Sequence, residues 1–91
     1  MNTTITCELV VVGNVQGVGL RKKIKAKAEE LSLTGLAANL PPPICGVKIT
    51  LQGRWTSIVN LSAWLKEIKG VTGVESHRIF DHLVFEKFET K

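Results

Sequence analysis

Sulfur and imidazole are scarce in this chain: Cys7, Cys45, His77 and His82 are its only cysteines and histidines across 91 residues. Four such scattered groups lack the spacing of a structural zinc or iron–sulfur site, so no metal and no other cofactor is expected. The two cysteines are read as reduced thiols, and His77 and His82 as surface residues. Neither cysteine lies in an activating motif, and no serine, histidine and acid form a recognisable nucleophile, so covalent catalysis is not expected. Rings are few as well. Trp55 and Trp64 are read as packing residues, because a base-stacking platform needs rings on central strands and those strands carry none. Long apolar runs are absent too, with nothing near the roughly 18 residues of a membrane span. The polar start Met1-Asn2-Thr3-Thr4 does not resemble a secretory signal. A cytoplasmic protein without membrane association is expected.

What is present suits one small globular unit, a single domain over residues 1–91. Hydrophobic residues make up 44% and charged residues 22%, ordinary values for such a domain. The formal charge of +4 and the pI near 9.3 favour anionic partners. Five basic residues crowd into Arg21, Lys22, Lys23, Lys25 and Lys27. Such a face can collect nucleic acid, but a solvated surface that raises the potential around a small phosphate site explains it with less.

Hydrophobic periodicity gives the order of elements. Ile5 to Val12 alternates and then turns continuously apolar, the pattern of a central strand covered on both faces. From Arg21 to Leu33, Leu20, Ile24, Ala28 and Leu31 form one apolar helical stripe, with Gly35 as the stop signal. Leu36 to Leu40 is a short strand ended by Pro41-Pro42-Pro43. In Gly46 to Gln52, Val47, Ile49 and Leu51 alternate with polar residues, predicting a half-buried strand with a solvated polar face. Thr56 or Ser57 is placed to cap a second helix carrying Ile58, Leu61, Leu65 and Ile68 and closing at Lys69-Gly70. Val74 to Phe80 and Leu83 to Phe88 read as two further strands. The order strand, helix, strand, strand, helix, strand fits a split βαβ arrangement: an α+β sandwich with two helices on one face of an antiparallel sheet of four to five strands.

Between the first strand and the first helix lies Gly13-Asn14-Val15-Gln16-Gly17-Val18-Gly19-Leu20-Arg21. Glycines at this density let backbone N–H groups line one concave face, and the helix start adds further donors and partial positive charge. Arg21 adds a planar fork of donors suited to phosphate. A dinucleotide fingerprint fails because Lys22 stands where its third glycine would be, and no Gly-Lys-Ser/Thr ending exists for a nucleotide P-loop.

These nine residues resemble the signature loop of the acylphosphatases, Gly-x-Val-Gln-Gly-Val-Gly-Phe-Arg, with Leu20 in place of the phenylalanine. Thr34-Gly35-Leu36-Ala37-Ala38-Asn39 is similar to that family's Thr-Gly-Trp-Val-x-Asn segment, and the Trp64-Leu65 pair also falls where the family has one. The segment Pro41-Pro42-Pro43-Ile44-Cys45-Gly46 departs from the pattern, being about two residues longer than the family's tight hairpin after the asparagine. The resemblance implies a ferredoxin-like fold and hydrolysis of the carboxyl-phosphate bond of small acyl phosphates, releasing inorganic phosphate. It implies that Val15, Gln16, Gly17, Val18, Gly19, Leu20 and Arg21 bind the phosphoryl group, and that Arg21 and Asn39 are catalytic, Asn39 by orienting the attacking water. Gln16 is read chiefly as a support of the loop. A monomer is expected. Two rival readings are a non-catalytic phosphate- or carbamoyl-phosphate-binding module, like the acylphosphatase-type domain opening a larger hydrogenase-maturation protein, and a basic nucleic-acid-binding domain. Length speaks against the first, and salt dependence of binding would separate the second from a hydrolase inhibited by phosphate.

Overall fold

The computed structural model describes residues 4–13, 19–79 and 84–91. Seven elements follow one another: β1 (Ile5–Gly13), α1 (Leu20–Glu30), β2 (Thr34–Asn39), β3 (Gly46–Gly53), α2 (Trp55–Lys66), β4 (Val71–Ile79) and β5 (Phe88–Thr90). The strands form one sheet in the order β4-β1-β3-β2-β5. The β1–β3, β1–β4 and β2–β3 pairs are antiparallel. β5 pairs with β2 in parallel, so the sheet is mixed and not wholly antiparallel as expected. This is the ferredoxin-like α+β sandwich with one added edge strand.

Both helices lie on one face, α1 over β2 and β5, α2 over β4, β1 and β3. Alternation along the strands decides what they cover. Cys7, Leu9 and Val11 of β1, Val47, Ile49 and Leu51 of β3, and Ala37 of β2 point into the core with Leu20, Ile24 and Ala28 of α1 and Ile58, Leu61 and Leu65 of α2. Burying each Leu, Ile or Val stabilises the fold by about 1.5–3 kcal/mol relative to exposure. Because the helices cover one face only, β1 is not buried on both: Glu8, Val10 and Val12 are half-buried on the far side. Thr6 is the exception there, buried where Gln52 Nε2 donates to its hydroxyl at 3.0 Å. Gln52 Oε1 also accepts the Phe85 N–H at 3.1 Å, so one polar position of β3 holds a crossing segment.

Several element ends differ from the sequence reading. Helix α1 stops at Glu30, with Ser32 in the left-handed region at φ 59. The Leu33 N–H reaches the Ala28 carbonyl at 2.8 Å and the Ser32 N–H reaches Glu29 at 3.1 Å, the paired bonds of a Schellman cap. Gly35, expected as the stop, sits inside β2 at φ 144, where a Cβ would collide with the Thr50 carbonyl. Its glycine serves strand contact, not the helix end. Helix α2 starts at Trp55, one residue before the first expected cap, and its N-cap Arg54 makes no side-chain cap bond. After Lys66 the chain continues in i→i−3 turns through Ile68 to Val71, so the stop expected at Lys69-Gly70 marks the end of the turns and not of the helix. The strand expected over 83–88 is β5 at 88–90 instead; Val84 to Lys87 are not strand, and 80–83, with His82, lie outside the described residues. Trp64 packs on the core as expected, whereas Trp55 is 51% exposed.

Candidate active site

Strand direction gathers the site. β1 and β2 both run antiparallel to β3, and β5 runs parallel to β2, so the C-terminal ends of all three meet at one end of the sheet. Helix α1 starts at that same end, because the chain leaves β1 there. In the row Val11–Val47–Asn39, Asn39 stands at the last paired position of β2, two residues after Ala37 and therefore on the helix-bearing face. Its amide is solvent-exposed.

Gly19 is the N-cap of α1 in the left-handed conformation, φ 67 and ψ 32. Its carbonyl accepts the N–H groups of Lys22 at 3.1 Å and Lys23 at 3.2 Å. The N–H groups of Leu20 and Arg21 thus precede the helix's own ladder. A Cβ on Gly19 would meet nothing within 4 Å among the described residues. Among the described residues no side chain caps the helix and no acid occupies its first turn, which instead carries Arg21, Lys22 and Lys23. Cations at a helix N-terminus oppose the macrodipole, and an anion at this corner would satisfy both. Leu20, in the place of the family's phenylalanine, is buried in the core and anchors the turn from below.

Arg21 is half-buried, and its Nη1 donates to the main-chain oxygen of Lys91. The Lys91 N–H in turn donates to the Ala37 carbonyl at 2.8 Å. A short relay, Arg21 to Lys91 to Ala37, therefore links the arginine to the strand that ends in Asn39. A guanidinium carries five N–H donors in a fixed plane, so one arm tied to a main-chain oxygen sets its orientation and leaves others for an anion. On the other flank the Gly13 N–H donates to the Cys45 carbonyl at 3.1 Å, tying the start of the glycine-rich loop to the end of the proline segment. That segment closes by Leu40 N–H to Gly46 carbonyl at 3.0 Å and by Ile44 N–H to Pro41 carbonyl at 3.3 Å, with a cis Pro42–Pro43 bond between.

Of the expected site residues, Gly19, Leu20, Arg21 and Asn39 come to this corner; Val15, Gln16, Gly17 and Val18 lie outside the described residues. The part played by Lys91 was not read from sequence, and a main-chain oxygen leaves no sequence signal by which to find it. Lys22 and Lys23 are exposed, and Lys27 pairs with Glu30 at 3.4 Å along the helix, away from the corner.

These features define an α+β domain with a left-handed glycine, a helix start, an anchored arginine and a strand-end asparagine at one end of its sheet. The family model for acylphosphatase matches residues 7–90. An acylphosphatase of Acaryochloris marina is 37% identical over 67 residues, covering 74% of this chain and 70% of that protein. One from Coxiella burnetii is 43% identical over 63 residues, covering 68% of this chain and 64% of its own length. A solved acylphosphatase structure from Coxiella burnetii superposes with a TM-score of 0.87 at 32% identity, covering 97% of this chain and 93% of that one. The chain belongs to the acylphosphatase family.

Proposed function

We propose that the protein hydrolyses the carboxyl-phosphate bond of small acyl phosphates, giving a carboxylate and inorganic phosphate. An acyl phosphate is already activated, and its carboxylate leaves without a strong general acid. The catalytic task reduces to holding the phosphoryl group, offsetting charge on its equatorial oxygens and placing water in line. Arg21 and the loop amides from Val15 to Leu20 hold the phosphoryl group in this reading. The Asn39 amide accepts from and donates to the attacking water on the opposite side of phosphorus. What supports it is the Lys91 relay, which ties Arg21 to Ala37 of β2, the strand that ends two residues on in Asn39.

The test is hydrolysis of benzoyl phosphate, with chelator present, by the wild type, Arg21→Ala and Asn39→Ala, each checked for folding by circular dichroism. Charge-assisted hydrogen bonds are worth about 1.5–3 kcal/mol each, so losing the Arg21 fork is expected to cost on the order of 10² to 10⁴ in rate. Loss of the water-orienting amide is expected to cost on the order of 10² with phosphate inhibition retained, since binding does not depend on it. A folded wild type that binds phosphate but leaves benzoyl phosphate intact would replace the hydrolase by a phosphate-binding module.

A further inference from the structure

The edge of the sheet farthest from Arg21 and Asn39 is β4, which among the described residues pairs with β1 alone. It is nine residues long, VTGVESHRI, without proline, and its charged side chains are Glu75 and Arg78. The other edge, β5, has three residues. Beside β4, helix α2 presents a second stripe distinct from its core stripe: Trp55, Val59 and Ala63, each four residues apart. Trp55 is 51% and Val59 43% exposed. Between this stripe and β4 runs an apolar groove of about 430 Å³ floored by Cys7, Leu9 and Ser76. Among the described residues, an unpaired backbone edge and an uncovered helix flank thus lie side by side.

We propose that a second copy of this chain covers both, in a two-fold dimer whose β4 strands pair antiparallel about Ser76. Side chains opposite one another must share a face, so the dyad passes through a residue and not between two. Centred on Glu75 it opposes two carboxylates, and centred on His77 two imidazoles; centred on Val74 it sets Glu75 against glycine. Centred on Ser76 it sets Glu75 opposite the partner's His77 and His77 opposite the partner's Glu75, two complementary contacts on the open face. The imidazole N–H donates to the carboxylate in each. On the helix-bearing face the smallest side chain of that stretch, Ser76, falls on the axis. There the Trp55–Val59–Ala63 stripes of the two α2 helices approach across the joined grooves. Within its own chain His77 opposes Glu8 on β1, which pairs with Lys48 at 3.7 Å, while Glu75 opposes Val10. Arg21 and Asn39 lie toward the β2–β5 edge, away from the joined strands.

The test is equilibrium sedimentation of the wild type, Glu75→Lys, His77→Glu and their mixture, with circular dichroism reporting the fold. The wild type is expected to approach twice 10.0 kDa with rising concentration. His77→Glu opposes two carboxylates at each contact, and Glu75→Lys removes the acceptor of each imidazole N–H, so each single variant is expected to dissociate about ten-fold or more readily. An equimolar mixture restores association, because the lysine introduced in one copy then faces the carboxylate introduced in the other, and the native contact survives at the second pair. Glu75→Lys faces Val10 and is the safer variant, as His77→Glu brings a carboxylate to Glu8. Val59→Glu, on the helix stripe, weakens association without touching the strand, and benzoyl phosphate hydrolysis stays unchanged throughout. A wild type that remains at 10.0 kDa up to about 0.5 mM overturns the proposal. So does a dimer indifferent to both charge reversals, or one that mixing fails to restore.

Discussion

Ser32 is a residue in the wrong conformation for its type. It closes α1 at φ 59, a region that costs an L-residue about 1–2 kcal/mol and a glycine little. Ser32→Gly is expected to stabilise the fold by about 0.5–1 kcal/mol, glycine's greater freedom in the unfolded chain offsetting part of the relief. The denaturation midpoint reads this directly, and activity is expected to be unaffected because Ser32 sits at the end of α1 away from Arg21 and the proposed site. Cys7 makes a different residue-scale case. Burial pushes its thiol above the ordinary value, while backbone N–H groups of His77 and Glu8 and the Arg78 guanidinium pull weakly the other way. The native state therefore keeps this proton at pH values where the unfolded chain, ionising at about 8.5, has lost it. Its contribution to stability is complete below about pH 8.5 and falls as pH rises through the native value. Urea titrations from pH 7 to 10 are expected to show that decline, and Cys7→Ala, though less stable because of the void, to lose this part of the slope.

At the scale of elements, β5 is three residues with two separable jobs. Phe88 is buried in the core at the β2 edge, and Lys91, just beyond the strand, holds Arg21. Truncation after Thr90 removes the acceptor of the guanidinium and the N–H that binds Ala37, but no core side chain. It is expected to lower kcat/KM for benzoyl phosphate about ten-fold or more with little change in melting temperature. Phe88→Ala is expected to do the reverse first, costing about 3–5 kcal/mol of stability. Equal losses of stability in the two variants would sink this division. β5 also shows where the sequence was opaque. The stripes of α1 and α2 and the alternation of β3 were legible because a period of 3.6 or 2 repeats often enough to stand out. A three-residue strand has no period to read, and its parallel pairing to β2 comes from tertiary packing of one phenylalanine. Gly35 misled for a related reason: glycine after a helical stripe signals a stop, and here the same residue answers a close approach of β3 while a serine takes the left-handed turn. At the site, Arg21 and Asn39 were legible as side chains in a motif, whereas the oxygens of Lys91 and Cys45 that fix the arginine and the loop belong to the backbone.

Across the whole molecule, charge and stability are set against one another at the N-terminal end of α1. A helix start is stabilised by acids and weakened by cations, yet this one carries Arg21, Lys22 and Lys23 and no acid in its first turn. The cost is intelligible if the corner exists to gather an anion, since exposed cations beside it raise the local potential and with it the concentration of a negatively charged substrate. Lys22 and Lys23 are exposed, and reversing both brings the formal charge from +4 to neutral without touching the core. Lys22→Glu with Lys23→Glu is therefore expected to stabilise the fold by about 0.3–1 kcal/mol per residue at low ionic strength. The same variant is expected to raise KM for benzoyl phosphate about three- to ten-fold, with kcat nearly unchanged. Both effects must fade together as salt shortens the Debye length from about 10 Å at 0.1 M to about 3 Å at 1 M. A double variant that is more stable yet binds its substrate as well as the wild type at low salt would mean that these lysines are merely solvated, and that recognition of the anion is confined to Arg21 and the backbone around it.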